Sequence, residues 1–210
     1  MIRIIIVDDH AIVRRGIRDI LIETPGITIC GEAQDYTELR QCLRNTEADL
    51  VLLDINLPGK NGIEILKILH DQYPKLRVLV LSTHPEDQYA LRALKAGAYG
   101  YLNKNGAPEQ LIDAIQQIMS GRKYITASTA QSLVSALTGG DEEMPHEKLS
   151  DREFQTLRLM ASGKRLSEIA EELALSPKTV SVYRARILEK MDLTTNAELT
   201  HYAIKNGLVE

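Results

Sequence analysis

The sequence predicts an α/β domain built on a five-stranded, doubly wound parallel sheet, followed by a small all-α domain of four short helices. Three observations carry this. Short aliphatic runs alternate with amphipathic segments five times in the first 120 residues. A Gly-Gly-Asp-Glu-Glu-Met-Pro stretch at residues 139–145 then breaks the pattern. From residue 149 onward the apolar period is helical throughout.

The elements follow in order. Residues 2–7 form a run rich in isoleucine, as expected of a strand buried on both faces. Residues 11–23 space Ile12, Val13, Ile17, Ile20 and Leu21 for a helix. A short strand is expected at 27–31, a helix at 36–44, and a buried strand at 50–53 that ends at Asp54. Residues 63–69 read as a helix that Asn61 can cap. A strand at 78–81 ends at Ser82, and a helix at 85–95 has Pro85 in its first turn and Gly97 past its end. A last strand at 99–102 precedes a helix at 108–119. Residues 127–137 carry a further helical pattern before the acidic 139–145 stretch. These boundaries give a first domain at 1–121, a linker at 122–147 and a second domain at 148–210.

In the second domain, Ser150 and Glu153 have capping-box spacing and Gly163 suits a helix end. Ser167 is expected to precede a short helix. Ser176 with Pro177 marks the start of a longer helix running to Met191, and a fourth helix covers about 197–205. So small a unit needs a compact core, which the pattern assigns to Leu157, Ile169, Ala170, Leu173, Val180, Ile187 and Leu199.

Composition excludes several classes. Hydrophobic content of 44% and charged content of 26% are those of an ordinary globular protein. No apolar run approaches the ~18 residues of a membrane span. The chain starts with a short apolar run followed by Asp8 and Asp9, unlike a secretory signal, so a cytoplasmic protein with no membrane association is expected. Cys30 and Cys42 lack metal-ligand spacing and read as reduced thiols. Net charge is −4, but it is unevenly spread. Residues 148–210 hold 10 Lys/Arg and 9 Asp/Glu, and residues 178–190 alone carry four basic side chains against one acid. An acidic front and a local basic stripe fit a small DNA-reading module better than a general polyanion binder.

Asp8, Asp9 and Asp54 all follow predicted parallel strands, at the sheet edge where α/β proteins bind ligands. Three converging carboxylates repel one another unless a hard cation such as Mg2+ joins them. Lys104 follows the last strand with a point positive charge, and Ser82 offers a hydroxyl. Nucleophilic carboxylate, metal, ammonium and hydroxyl are what phosphoryl transfer to an aspartate requires.

The segments Val7-Asp8-Asp9-His10, Leu53-Asp54-Ile-Asn56-Leu-Pro58-Gly-Lys-Asn61-Gly62, Leu81-Ser82-Thr83 and Tyr101-Leu102-Asn103-Lys104 resemble the flavodoxin-like receiver domain of two-component response regulators. The resemblance implies Asp54 as phosphoacceptor, and Asp8, Asp9, Asp54 and Asn56, through its backbone carbonyl, as the metal site. It further implies Ser82 and Lys104 as phosphoryl contacts and Tyr101 as the aromatic switch residue. Asn105 departs from a proline common after that lysine. Haloacid-dehalogenase phosphatases also use a strand-end Asp, but they want a second Asp where this chain has Asn56. No turnover enzyme is therefore expected.

Leu149-Ser150-x-Arg152-Glu153, Ala161-x-Gly163, Glu168-Ile169-Ala170-x-x-Leu173 and Leu175-Ser176-x-x-Thr179-Val180 resemble the LuxR-type helix-turn-helix of NarL/FixJ regulators. The recognition helix falls at about 177–191, with Val180, Ile187 and Met191 facing the core and Ser181, Tyr183, Arg184 and Ala185 toward the other side. Lys178, Thr179, Arg184, Arg186 and Lys190 are the phosphate-contact candidates. Ser181, Val182 and Ala185 are the base-edge candidates, with Tyr183 and Arg184 able to contribute. Family members with lysines at positions 181 and 185 can read guanine there; Ser181 and Ala185 cannot. The resemblance implies a sensor histidine kinase, promoter duplex DNA, a homodimer formed on phosphorylation, and RNA polymerase as partners. The alternative is a signalling protein that docks protein partners and uses its helix-turn-helix only to dimerise.

Overall fold

The structure, a computed structural model, describes residues 1–83, 86–127, 129–131, 134 and 144–209, with only the backbone of 86–88. The chain divides into two compact units, Met1–Thr138 and Gly139–Glu210.

The first unit runs β1 (Ile2–Val7), α1 (Ala11–Ile22), β2 (Ile27–Ala33), α2 (Tyr36–Asn45), β3 (Leu50–Asp54), α3 (Gly62–Gln72), β4 (Arg77–Ser82), α4 (Glu86–Lys95), β5 (Gly100–Asn103) and α5 (Pro108–Met119). All pairings are parallel, in the order β2-β1-β3-β4-β5. This is a doubly wound order, with its switch point between β1 and β3. Alternation along each strand sorts the core into two layers. Ile4, Ile6, Leu50, Leu52, Leu79, Leu81 and Leu102 pack with α1 and α5. Their neighbours Ile5, Val51, Leu53 and Val80 are buried on the other face, where α2, α3 and α4 lie.

Strand β2 extends two residues past its expected end, because a register shift at Ile4/Ile5 of β1 lets pairing continue to Ala33. Beyond α5 the chain returns to the outer edge of β5, where Gly100 bridges Tyr124. A Cβ on Gly100 would stand 2.9 Å from that of Tyr124, so only glycine admits this edge cover. Of the helical pattern at 127–137, Ala127, Thr129, Ala130, Gln131 and Val134 are helical. The rest of it, Pro85 and the 139–143 stretch lie outside the described residues.

The second unit opens with a 3-10 turn at Pro145–Lys148, followed by α6 (Asp151–Ala161), α7 (Leu166–Glu172), α8 (Pro177–Lys190) and α9 (Asn196–Lys205). Ser150 and Glu153 form the expected capping box. Helix α7 begins one residue before Ser167, contrary to expectation. The Glu168 carboxylate accepts the Arg165 N–H at 2.7 Å, which fixes the start there without a serine cap. All seven predicted core residues are buried. The turn between α7 and α8 closes with Leu175 N–H donating to the Ala170 carbonyl at 2.8 Å. Ala174 holds a left-handed φ of 52° there, a conformation that favours glycine.

Candidate functional site

Asp8, Asp54, Ser82 and Lys104 come together because β1, β3, β4 and β5 all end at one edge of the sheet. Asp54 closes β3, Ser82 closes β4, and Asp8 and Lys104 are the first residues beyond β1 and β5. The Lys104 backbone N–H continues the ladder, donating to the Ser82 carbonyl at 2.8 Å. The Lys104 ammonium donates to Asp8 Oδ2 at 2.6 Å and lies 2.8 Å from Asp54 Oδ2. Both carboxylates and Ser82 are buried, while Asp9 is open to solvent.

Two acids share one ammonium, and the electrostatics show it. Burial pushes the Asp54 carboxyl up to about 6. The Lys104 ammonium pulls it down, the Asp8 carboxylate adds to the rise, and the Asn56 N–H again lowers it. The excess negative charge and the all-oxygen set of carboxylates fit a hard divalent cation such as Mg2+. One ligand atom each of Asp8, Asp9, His10 and Asp54 lies within 4.8 Å of the others.

Helix α3 fixes the loop beyond Asp54. Asn61 caps it, accepting the Ile63 N–H at 2.8 Å, and Gly62 N–H donates to the Ile55 carbonyl at 2.8 Å. A Cβ on Gly62 would stand 2.2 Å from the Asp54 carbonyl oxygen, so the helix approaches the phosphoacceptor candidate only because residue 62 has no side chain. Asn56 is half-buried in this loop. Tyr101 is buried on β5 and, next to Leu102 in the α1/α5 layer, faces the α4 side. Asn105 uses its N–H to reach Asn103 Oδ1 at 2.8 Å, a turn that proline could not make.

Sequence reasoning assigned no role to Gly62, His10 or Arg14. The Arg14 guanidinium donates to the Asp8 carbonyl at 2.6 Å and braces the end of β1. Its signal was spacing alone, a basic residue one helical turn past the N-cap of α1.

On α8, Val180, Ile187 and Met191 are buried as expected. The outward set is corrected. Lys178, Ser181, Val182, Ala185 and Arg186 are exposed, whereas Tyr183 and Arg184 are half-buried flanks. At 100° per residue Arg184 lies one turn from Val180, on the core side. Its Nε donates to Asn196 Oδ1 at 2.7 Å. Thr179 is half-buried, its hydroxyl 2.8 Å from that of Ser176. Lys190 donates at 2.7 Å to Glu153, whose side chain is buried. Burial pushes the Glu153 carboxyl up, but Lys190 and the Ser150 N–H outweigh it and hold the group below its usual range.

Residues 4–116 match the family described as the response regulator receiver domain, and residues 147–203 match the bacterial regulatory proteins of the luxR family. The chain is 37% identical to the response regulator UvrY of Escherichia coli K12 over 209 residues, 99% of this chain and 96% of that protein. It is 35% identical to the response regulator GacA of Pseudomonas aeruginosa over 211 residues, 100% of this chain and 99% of that one. A solved structure of RcsB from Salmonella enterica serovar Typhimurium, bound to promoter P1flhDC with the phosphomimetic BeF3-, is similar at a TM-score of 0.67 and 29% identity. That likeness covers 96% of this chain and 97% of RcsB. Among the described residues no helix is long and apolar enough to cross a membrane.

Proposed function

The chain belongs to the response regulators that join a receiver domain to a LuxR-type DNA-binding domain, and we propose that Asp54 is the residue through which phosphate controls it. The observation that supports this most is the Lys104 ammonium held between Asp8 and Asp54. In this reading residues 1–121 are the receiver, 122–147 the linker and 148–210 the DNA-binding domain.

A carboxylate oxygen of Asp54 attacks the phosphorus of a phosphohistidine on a sensor histidine kinase. The new P–O bond forms as the P–N bond breaks, and its electron pair returns to the imidazole. Asp8, Asp9, Asp54 and the Asn56 carbonyl would hold Mg2+, which supplies positive charge against the phosphoryl oxygens. Lys104 leaves its carboxylate pairing for the phosphoryl group, and Ser82 donates its hydroxyl. Tyr101 transmits the change to the α4–β5 face. The protein accepts phosphate once per cycle and turns over no substrate.

The output is binding of promoter DNA as a homodimer, since one small domain buries too little surface for tight binding alone. RcsB, similar over nearly the whole chain, binds a promoter. Helix α8 enters the major groove. Lys178, Thr179 and Arg186 contact phosphates, as do Arg184 and Lys190 once freed from their partners, with Tyr183 on the flank. Ser181, Val182 and Ala185 meet base edges, reading methyl groups and DNA shape rather than guanine. The cytoplasm, with RNA polymerase within reach, is the compartment this output requires.

The test is incubation of the full chain with a small acyl phosphate and Mg2+, with phosphorylation read on a phosphate-retarding gel. Wild type should take up one phosphate and Asp54→Asn none. Uptake by the variant would refute the assignment. A gel shift with promoter fragments should show binding that phosphorylation strengthens; no binding in either state would favour a protein-docking role.

A further inference from the structure

Each polar group of Asp8 is held by a different part of the chain. Its N–H donates to the Ala33 carbonyl at the end of β2, at 3.1 Å. Its carboxylate accepts the Lys104 ammonium at 2.6 Å and the His10 N–H at 2.8 Å. Its carbonyl lies beyond the pairing of β1 with β3, which stops at Val7 and Leu53. Asp8 is buried, and a buried carbonyl needs a donor. The Arg14 guanidinium supplies it at 2.6 Å. Side chains on a helix lean toward its N-terminus, so a residue at the end of the first turn of α1 reaches back to the loop before it. Glu32 of β2 aims the guanidinium, with Oε2 3.7 Å from Arg14 Nε, while its other oxygen accepts Arg18 Nε at 2.7 Å. The carbonyl that Arg14 holds belongs to the peptide joining Asp8 to Asp9. Because a peptide is planar, rotating it redirects the solvent-exposed Asp9 side chain relative to Asp8.

We propose that Arg14, aimed by Glu32, is a positioning residue for phosphorylation of Asp54: it locks the Asp8–Asp9 peptide so that both acids face one divalent cation. This rests on the reading of Asp8, Asp9 and Asp54 as the metal site. Arg14 acts on a backbone carbonyl and not on a carboxylate, so the pocket's own charge pairs stay as they are. Partners that orient ligands in this way govern how tightly a cation is held. At saturating Mg2+ the occupied arrangement prevails with or without Arg14. The signature of the role is therefore a shift in the Mg2+ required, with the saturated rate kept.

Two measurements on the full chain test this. Calorimetric titration should show Arg14→Met binding Mg2+ about tenfold more weakly than wild type. Phosphorylation by a small acyl phosphate over a Mg2+ series should reach half its maximal rate at about tenfold higher Mg2+, with the maximal rate within about twofold. Arg18→Met removes the other partner of Glu32 without touching Asp8, and should stay within about twofold of wild type in both measurements. Glu32→Ala leaves Arg14 unaimed; it should weaken Mg2+ binding about threefold, and it carries the test if Arg14→Met does not fold. Unchanged Mg2+ affinity in Arg14→Met, or in Glu32→Ala where that variant carries the test, overturns the role of Arg14. So does an equal loss in Arg18→Met, or a fall in maximal rate with no shift along the Mg2+ series. Asp9→Ala separates this failure from that of the underlying reading. Wild-type Mg2+ affinity in Asp9→Ala overturns the metal site itself; a loss there leaves the site standing whatever Arg14 does.

Discussion

The acidic pocket and the outer face of α8 both concentrate charge, but they hold it by opposite means. In the pocket Asp8, Asp54 and Lys104 come from three strand ends, are largely buried and are paired with one another. On α8 the charges come from one helix and stand mostly in water, and the two that are tied, Arg184 and Lys190, are tied to Asn196 and Glu153. Charge is costly where water is excluded, so the pocket tolerates almost no change. Charge on an exposed helix costs little, so that face is free to vary.

The largest expected break is Lys104→Met, which leaves two buried carboxylates unpaired. In chelator, urea denaturation should show a loss of about 3 kcal/mol, partly recovered by added Mg2+. Next is Gly62→Ala, where the new Cβ meets the Asp54 carbonyl and the loop must move. A loss of about 2 kcal/mol and slower phosphorylation are expected from denaturation and a time course.

Asp54→Asn sharpens the comparison from the other direction. The raised Asp54 carboxyl favours the protonated form, so its contribution is present below about pH 4 and is lost as pH rises through about 6. In chelator above that range the variant should be more stable than wild type by about 1–2 kcal/mol, and the gap should close in acid. A gap independent of pH would remove the charge-burial account.

Effects around α8 are smaller. Lys190→Met should cost about 1 kcal/mol, read from thermal denaturation of the second unit. The depressed Glu153 carboxyl stabilises above its unfolded value and loses that contribution as pH falls through its folded value, so the variant's deficit should shrink in acid. Ala174→Gly relieves the left-handed φ and should stabilise by about 0.5–1 kcal/mol without altering DNA affinity.

Much of this was legible beforehand. The isoleucine run of β1, the capping box of α6 and the Ser176-Pro177 start are local patterns, and those elements begin where the patterns put them. The role of Gly62 and the placement of the His10 ring were not legible. Gly62 stands in an ordinary loop-to-helix sequence, and only the closeness of the Asp54 carbonyl shows why it lacks a side chain. His10 sits where a cap is expected, and only the fold turns its ring to the carboxylates. Tyr183 and Arg184 are half-buried rather than outward because each lies one helical turn from a core residue, Ile187 or Val180, a spacing the sequence already carries.

The sequence by itself determined that Asp8, Asp54, Ser82 and Lys104 stand at or just beyond strand ends, because the aliphatic runs before them are local patterns. With it came the chemical inventory of the pocket and the class of each domain. The tertiary structure decided how the inventory is connected. Lys104 reaches Asp8 across 96 residues of chain, Arg14 braces the Asp8 backbone, and Glu153 captures Lys190. The Lys104–Asp8 contact depends on strand order and sheet twist and the Lys190–Glu153 contact on helix packing, and no local pattern encodes either.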